Sequence, residues 1–352
     1  MLRALDVVAP GTLLREGIDN IVHARTGGLV VIADPDEIAF LLSGGIKLDV
    51  EYTPALLYQV AKMDGAIVLN ADASRILWAN VQLMPDPTIA SRETGTRHRT
   101  AERVSKQTNA LVIAVSARRE VVSLYSEGFK YILQDIPTVL SRANQGLATL
   151  EKYRARLDNL RARLNAQEML ASVRGGASLQ DALVVLRQAE LVNRMAAEVE
   201  RYIIELGSEG RLIEMQLEES VVGVAAERNA LVRDYAADDS PQRVDHALQR
   251  LSALPHEEIL DFGSLAELLG YDRKVNTADF HVAPRGYRAL SRIPRLPRLV
   301  AQSVIHAFGG LEEILAADEE DIASVEGVGE AHARTIVEGL RRMQEVELLD
   351  RI

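Results

Sequence analysis

Ala66-Ile67-Val68-Leu69-Asn70-Ala71-Asp72-Ala73-Ser74-Arg75-Ile76-Leu77-Trp78-Ala79-Asn80-Val81 decides the fold class of the N-terminal part of the chain. Two apolar runs, 66–70 and 75–81, flank a turn-forming stretch, 71–74, which predicts an antiparallel hairpin. Outward from it, further short β-branched runs fall at 28–33, 76–83, 111–116 and 121–125. Between them lie amphipathic stretches at 12–24, 53–63 and 100–107, the pattern of helices. Residues 1–135 therefore read as an α/β domain with a central mixed sheet, because a hairpin cannot belong to a purely parallel one.

From 136 to 284 the strand signals stop. Leu140, Ala143, Leu147, Leu150, Tyr153, Leu157, Leu160 and Leu164 recur at spacings of three and four, which predicts one long amphipathic helix. Ser178 with Asp181 three residues later forms a capping signal for a second helix, and Gly207 suits its C-terminal end. A third helix is predicted over 211–236, and Ser240-Pro241 opens a fourth. This segment reads as an all-α linker bundle.

Residues 285–352 change character again. Arg285, Arg288, Arg292, Arg295 and Arg298 fall in a stretch, 280–311, without an acidic residue, in a chain whose net charge is -11. Val325-Glu326-Gly327-Val328-Gly329 then separates two helical segments, the spacing of a helix-hairpin-helix motif. Glycines permit the sharp turn, and amides at the next helix's N-terminus can hold a DNA phosphate. Ile293-Pro294-Arg295-Leu296-Pro297 occupies the same place in the preceding unit without the two glycines. Gly327 and Gly329 also suit a plain turn in a small helical domain, and the basic island is the independent signal for DNA. Arg288, Arg292, Arg295, Arg298, Gly327 and Gly329 are the candidate DNA contacts. They would grip the phosphate backbone without reading bases.

Composition narrows the function. The 352 residues are 47% hydrophobic and 26% charged, ordinary values for a folded chain of two or three domains. The acidic balance argues against a wholesale polyanion binder. The absence of cysteine excludes disulfides, thiolate metal sites and cysteine nucleophiles. Apolar runs such as 110–115 fall far below the roughly 18–20 residues of a membrane helix. With Arg3 and Asp6 at the start, the N-terminus does not read as a signal peptide, and a cytoplasmic location is expected.

Neither a P-loop nor a Gly-x-Gly-x-x-Gly turn after a strand is present. Thr94-Gly95-Thr96-Arg97-His98-Arg99-Thr100 instead offers hydroxyls and two arginines just before the predicted helix at 101–107, a set that suits a polyphosphate. By itself this stretch equally suits a solvated loop. Met63-Asp64-Gly65-Ala66 places a carboxylate between a helix and a strand, where it suits a metal ion or a hydroxyl nucleophile, or simply a turn. His23, His246, His256, His281, His306 and His332 show no ligand spacing, and Trp78 reads as core.

Asp64-Gly65-Ala66 followed about thirty residues later by Gly95-Thr96-Arg97-His98-Arg99 resembles the diadenylate cyclase domain. With a helical linker and paired hairpins, including Gly286-Tyr287-Arg288 leading into 293–297, the order resembles the DNA integrity scanning diadenylate cyclases. The resemblance implies condensation of two ATP molecules into the second messenger cyclic di-AMP, with Mg2+ or Mn2+. It implies that Asp64 binds the metal or orients the ribose 3'-hydroxyl, with Gly65 and Ala66 shaping the nucleotide approach. Thr96, Arg97, His98, Arg99 and Thr100 would hold the triphosphate, with Asp64, Arg97, His98 and Arg99 as the catalytic set. Leu83 and Ser116 resemble an adenine-contacting and a phosphate-contacting position.

Each ATP must offer its 3'-hydroxyl to the other's α-phosphate, so two identical half-sites face to face meet the demand. The resemblance also implies an octamer, a nucleoid-associated role in DNA damage and repair, and branched or junction DNA as the partner that modulates output. A DNA-binding scaffold with a nucleotide-sensing head is the alternative. Asp64 together with Arg97-His98-Arg99 separates the two, since a scaffold needs no such pair in one domain.

Overall fold

The computed structural model describes residues 1–170 and 177–349, and its chain divides into two units. The first comprises Met1–Gln145 and Glu198–Gln216. Its helices are α1 (Leu2–Val7), α2 (Leu13–His23), α3 (Pro35–Ile38), α4 (Pro54–Val60) and α5 (Thr96–Gln107). Its strands are β1 (Gly28–Ile32), β2 (Leu42–Ser43), β3 (Ile46–Glu51), β4 (Ala66–Leu69), β5 (Arg75–Leu83), β6 (Leu111–Ser116), β7 (Val121–Ser126) and β8 (Phe129–Ile132).

The strands form one sheet in the order β2-β5-β4-β1-β6-β7-β8, with β3 also paired to β5. Only the β1–β4 pair is parallel, so the sheet is mixed, and the hairpin over 66–81 is its β4–β5 pair. Every residue of β1 is buried, which is why this central strand reads as an unbroken apolar run. Strands β3 and β8 escaped the sequence pattern because most of their residues are exposed and supply no apolar alternation.

Helices α1, α2 and α4 cover one face of the sheet, burying Leu14, Ile18, Ile21 and Leu57 against Val30, Ile67 and Ile113. Helix α5 covers the other, with Ala101 and Val104 packed on Val31, Val68, Val112 and Tyr125. The Thr12 hydroxyl caps α2 at Arg15 N (3.1 Å) and the Thr53 hydroxyl caps α4 at Leu56 N (3.1 Å). One expectation is corrected here. Helix α5 begins at Thr96, not after Thr100, so Thr96, Arg97, His98 and Arg99 form its first turn instead of a preceding loop.

The second unit comprises Gly146–Ala197 and the chain from Leu217 on. The helices running through the rest of the chain are α6 (Ile136–Met169), α7 (Leu179–Leu206), α8 (Arg211–Val221), α9 (Val224–Tyr235), α10 (Pro241–Ala253), α11 (His256–Leu260) and α12 (Phe262–Leu268). The capping signal forms as read: Ser178 N donates to Asp181 Oδ2 (3.1 Å) and Asp181 N to Ser178 Oγ (3.3 Å). The single helix predicted over 211–236 is broken, because Gly223 adopts φ +78° between α8 and α9. Leu157, Leu164, Leu183, Leu186, Leu231 and Leu265 fill the core of this bundle.

Five further helices complete the unit: α13 (Tyr287–Ser291), α14 (Arg298–Phe308), α15 (Leu311–Ala316), α16 (Glu319–Ala323) and α17 (Glu330–Leu349). They share a second core of Leu290, Ile293, Val304, Ile305, Ile322 and Ile336. Positions 350–352 of the range 285–352 lie outside the described residues.

Candidate active site and nucleic-acid interface

Sheet register gathers the dispersed candidates of the first unit. Val30 lies level with Ile67 in the parallel pair, and Gly28 lies opposite Val115 in the antiparallel one. Ala66 lies opposite Val81 in β5. The start of β1, the Asp64-Gly65 approach to β4, Leu83 at the end of β5 and Ser116 at the end of β6 therefore share one end of the sheet.

Asp64 and Gly65 are exposed, and Ala66 is buried. Gly65 adopts φ +92°, and a Cβ there would stand 2.8 Å from the Val81 carbonyl oxygen and 3.0 Å from Val81 N. Only glycine fits against the bulged β5 backbone, so Asp64 is delivered by a turn that a larger residue would displace. Leu83 is buried beside Leu42, and Ser116 is half-buried.

The first turn of α5 reaches the same end. A Cβ on Gly27 would fall on the Arg97 guanidinium and 3.3 Å from the Val115 carbonyl oxygen, so Arg97 lies over the bare backbone that precedes β1. Gly27 escaped the sequence reading, although a double glycine at a strand start was its visible signal. Arg99 donates to the Glu93 and Thr94 carbonyls (3.4 and 3.2 Å). Thr96 is exposed and Thr100 half-buried. The N-cap, Gly95, supplies no capping side chain, and the first turn carries no acid. An unclaimed helix N-terminus flanked by arginines suits an anion.

His98 is half-buried, and its Nδ1 lies 3.0 Å from the Tyr125 hydroxyl. Burial lowers its pKa below the ordinary histidine value; Glu93 opposes this, and Lys130, Arg119 and Arg97 add to it. The pattern therefore points to a neutral ring instead of a third cation. Among the described residues no group of three or more His, Asp or Glu side chains is arranged to hold a metal ion. Asp64 thus offers one carboxylate, a donor set that fits a metal whose other ligands are substrate phosphates and water.

In the second unit the basic island divides in two. Arg292, Arg295 and Arg298 are exposed. Arg288 is 2% exposed, which corrects its reading as a DNA contact. Its guanidinium meets Glu168 at 2.5 Å, Glu227 at 2.8 Å and the Asn165 side-chain Oδ1 at 2.7 Å. Asp234 accepts the amides of Gly286, Tyr287 and Arg288, fixing the backbone around this buried arginine. Arg285 is likewise turned inward, donating to the carbonyls of Arg233 and Ala236 (3.0 and 2.7 Å) near the end of α9.

The two hairpins make the same turn. Leu296 N donates to Ile293 O (3.4 Å) and Val328 N to Val325 O (3.0 Å). Ala301 N then donates to Pro297 O (3.1 Å) and Ala333 N to Gly329 O (3.0 Å). Gly327 and Gly329 are exposed, with open space where a Cβ would project. The missing glycines of the first hairpin therefore do not change its backbone path.

Comparison with known proteins gives three family matches. Residues 15–129 match the DisA bacterial checkpoint controller nucleotide-binding family, 133–278 the DisA bacterial checkpoint controller linker region, and 287–342 the SAM-like helix-hairpin-helix tandem. The chain is 49% identical to the DNA integrity scanning protein DisA of Symbiobacterium thermophilum, over 99% of this chain and 97% of that one. It is 48% identical to that of Carboxydothermus hydrogenoformans (97% and 96% covered) and 45% identical to that of Streptomyces avermitilis (100% and 94%).

Proposed function

The chain belongs to the DisA family of diadenylate cyclases, and on that premise we propose that each copy supplies half of a centre that joins two ATP molecules into cyclic di-AMP. Each 3'-hydroxyl attacks the other nucleotide's α-phosphorus. Two phosphodiester bonds form, two pyrophosphates leave and two protons are released. The observation that carries this reading is the convergence of Asp64-Gly65, Leu83, Ser116 and the Arg97 guanidinium at one end of the sheet.

Asp64 orients the 3'-hydroxyl and holds the metal, Mg2+ or Mn2+, which neutralises phosphate charge when bound. Gly65 and Ala66 let the nucleotide approach the strand. Thr96, Arg97, Arg99 and Thr100, with the α5 N-terminus, take the triphosphate; His98 lies beside them, Leu83 flanks the adenine and Ser116 a phosphate. Alignment and charge neutralisation supply the rate. Two chains meet through their active faces; the exposed Met63 (44%) and Met84 (56%), which flank Asp64 and Leu83, support an apolar rim for that meeting. The assembled form is an octamer.

Residues 1–135 form the cyclase domain, 136–284 the linker and 285–352 the DNA-binding domain. Arg292, Arg295 and Arg298 with Gly327 and Gly329 grip the phosphates of branched or junction DNA, and several copies on one assembly gain by avidity. Binding there lowers cyclase output, in the cytoplasm and at the nucleoid. Among the described residues no helix is long and apolar enough to cross a membrane.

The test is incubation of the full chain with ATP and each metal, with products identified by mass spectrometry, followed by titration with junction DNA. Cyclic di-AMP and pyrophosphate support the enzyme, and a fall in rate with junction DNA supports the coupling. An assembled, ATP-binding protein that makes no cyclic dinucleotide with either metal overturns the catalytic assignment. Confirmed DNA binding at unchanged rate overturns the coupling.

A further inference from the structure

We propose that Glu102 is a positioning residue for ATP: from the middle of α5 it anchors the loop 84–95, and so fixes the span between the adenine end of the half-site, at Leu83, and the triphosphate end, at the first turn of the helix. This rests on the ATP site proposed above and deepens it, since Glu102 lies outside the set assigned to the nucleotide.

The carboxylate of Glu102 is 8% exposed by residue and is met by three donors. Its Oε2 accepts the Ser91 hydroxyl (2.5 Å) and Arg92 N (3.0 Å), and its Oε1 accepts Lys106 Nζ (2.6 Å). Neighbours on the same helix extend the grip. Arg103 donates to the Pro87 and Ile89 carbonyls (3.0 and 2.9 Å), Lys106 to the Ala90 carbonyl (2.8 Å), and Gln107 Oε1 accepts Asp86 N (3.0 Å). Helix α5 thus holds the main chain of the loop at residues 86, 87, 89, 90 and 92, while Ala101 and Val104 of the same helix pack on the sheet. Because these bonds go to backbone groups, the path of the loop does not depend on its own side chains.

The loop joins the two parts of the site. It leaves β5 beside Leu83, where Met84 N donates to Leu41 O (2.8 Å), and it enters α5 where Arg99 donates to the Glu93 and Thr94 carbonyls. Both ends are tied, and the stretch between them, which has no helix or strand, is tied through the residues that α5 supplies. Among the described residues that grip it from α5, Glu102 alone is buried; Arg103 and Gln107 are half-buried and Lys106 is exposed. Water can take over an exposed bond at little cost, whereas loss of a buried carboxylate strands the groups that pointed at it.

A loop that has to be ordered when ATP binds takes that cost out of the affinity, and equally in the ground state and the transition state. Loss of Glu102 should therefore appear in KM and spare kcat. A general loss of folded enzyme has the opposite signature, a lower kcat at constant KM.

The experiment pairs hydrogen exchange of the full chain without ATP, read by mass spectrometry, with steady-state kinetics and ATP calorimetry on the same preparations. Glu102→Ala should speed exchange over 84–95 and leave β1 and β6 unchanged. It should also raise KM for ATP about ten- to thirtyfold, with kcat changed less than about threefold. Glu102→Gln keeps an oxygen for Ser91 and Arg92 and should recover most of the affinity. Ser91→Ala, which alters only the loop side of the contact, should move KM the same way by about threefold.

Unchanged exchange over 84–95 in Glu102→Ala, or a fall in kcat at constant KM, overturns the proposal. The Kd for ATP should move with KM. A protein that binds ATP and makes no cyclic di-AMP therefore sinks the catalytic reading, while exchange and Kd still judge the anchoring.

Discussion

Arg295 and Gly327 hold the same position in two successive hairpin turns, with φ +63° and +83°. An arginine therefore adopts the left-handed conformation that its counterpart reaches without strain. That conformation costs a residue with a Cβ roughly 1–2 kcal/mol, against about 0.5–1 kcal/mol of extra chain entropy for glycine. The side chain is thus retained at a site where the backbone favours glycine, which suits a contact made outside the fold.

Arg295→Gly is expected to stabilise the chain by a few tenths to about 1 kcal/mol while weakening DNA binding. Losing one phosphate contact should reduce the slope of log affinity against log salt by about 1. Thermal unfolding and a salt series of DNA titrations read both. Unchanged affinity would move the DNA surface away from this turn.

Arg288 and Arg292 are four residues apart and should fail in opposite ways. Arg288→Ala leaves Glu168 and Glu227 without their shared partner, and breaking such a buried cluster costs about 3–5 kcal/mol. Exposed Arg292→Ala should cost less than about 0.5 kcal/mol and weaken DNA binding at every salt concentration. Melting curves and DNA titrations of the two variants separate a structural arginine from a contact.

That division was not legible in the sequence. Five arginines in an acid-free stretch look alike, and only the tertiary positions of Glu168, Glu227 and Asp234, more than fifty residues upstream, turn Arg288 inward. The mixed sheet was legible because β1 is fully buried and the 66–81 hairpin has a clear turn; β3 and β8 were not, since their exposed faces carry no period. The candidate catalytic residues were legible as motifs. Their supports were not, because Gly27, Tyr125 and Lys130 reach Arg97 and His98 only through strand register and the packing of α5.

Two glycines at one end of the sheet make the next contrast. Gly27→Ala should leave stability within about 1 kcal/mol, because the atom it meets is the free end of the Arg97 side chain, while turnover falls about tenfold or more as the guanidinium is displaced. Gly65→Ala meets backbone at φ +92° and should cost on the order of 1–3 kcal/mol as well as activity. Melting temperature and kcat of each variant check the pair. A fully active Gly27→Ala would remove Arg97 from the site as assigned.

The metal requirement follows from the donor set. Among the described residues Asp64 is not part of any cluster of three or more ligating side chains, so these residues supply no ready-made cage around it. The metal should arrive with ATP, whose phosphates complete the coordination. Chelation is therefore expected to stop turnover at once and reversibly, leaving melting temperature, assembly and DNA binding unchanged, because the metal proposed here is held with substrate and not by the fold. Asp64→Asn should lower product formation by at least a hundredfold, yet keep ATP affinity within a few fold, because the arginines and the α5 N-terminus still hold the triphosphate. Calorimetry of ATP binding with and without metal, beside product analysis, reads both effects. Tight metal binding to the chain alone, or normal turnover by Asp64→Asn, would mean that the ion is held by residues other than these.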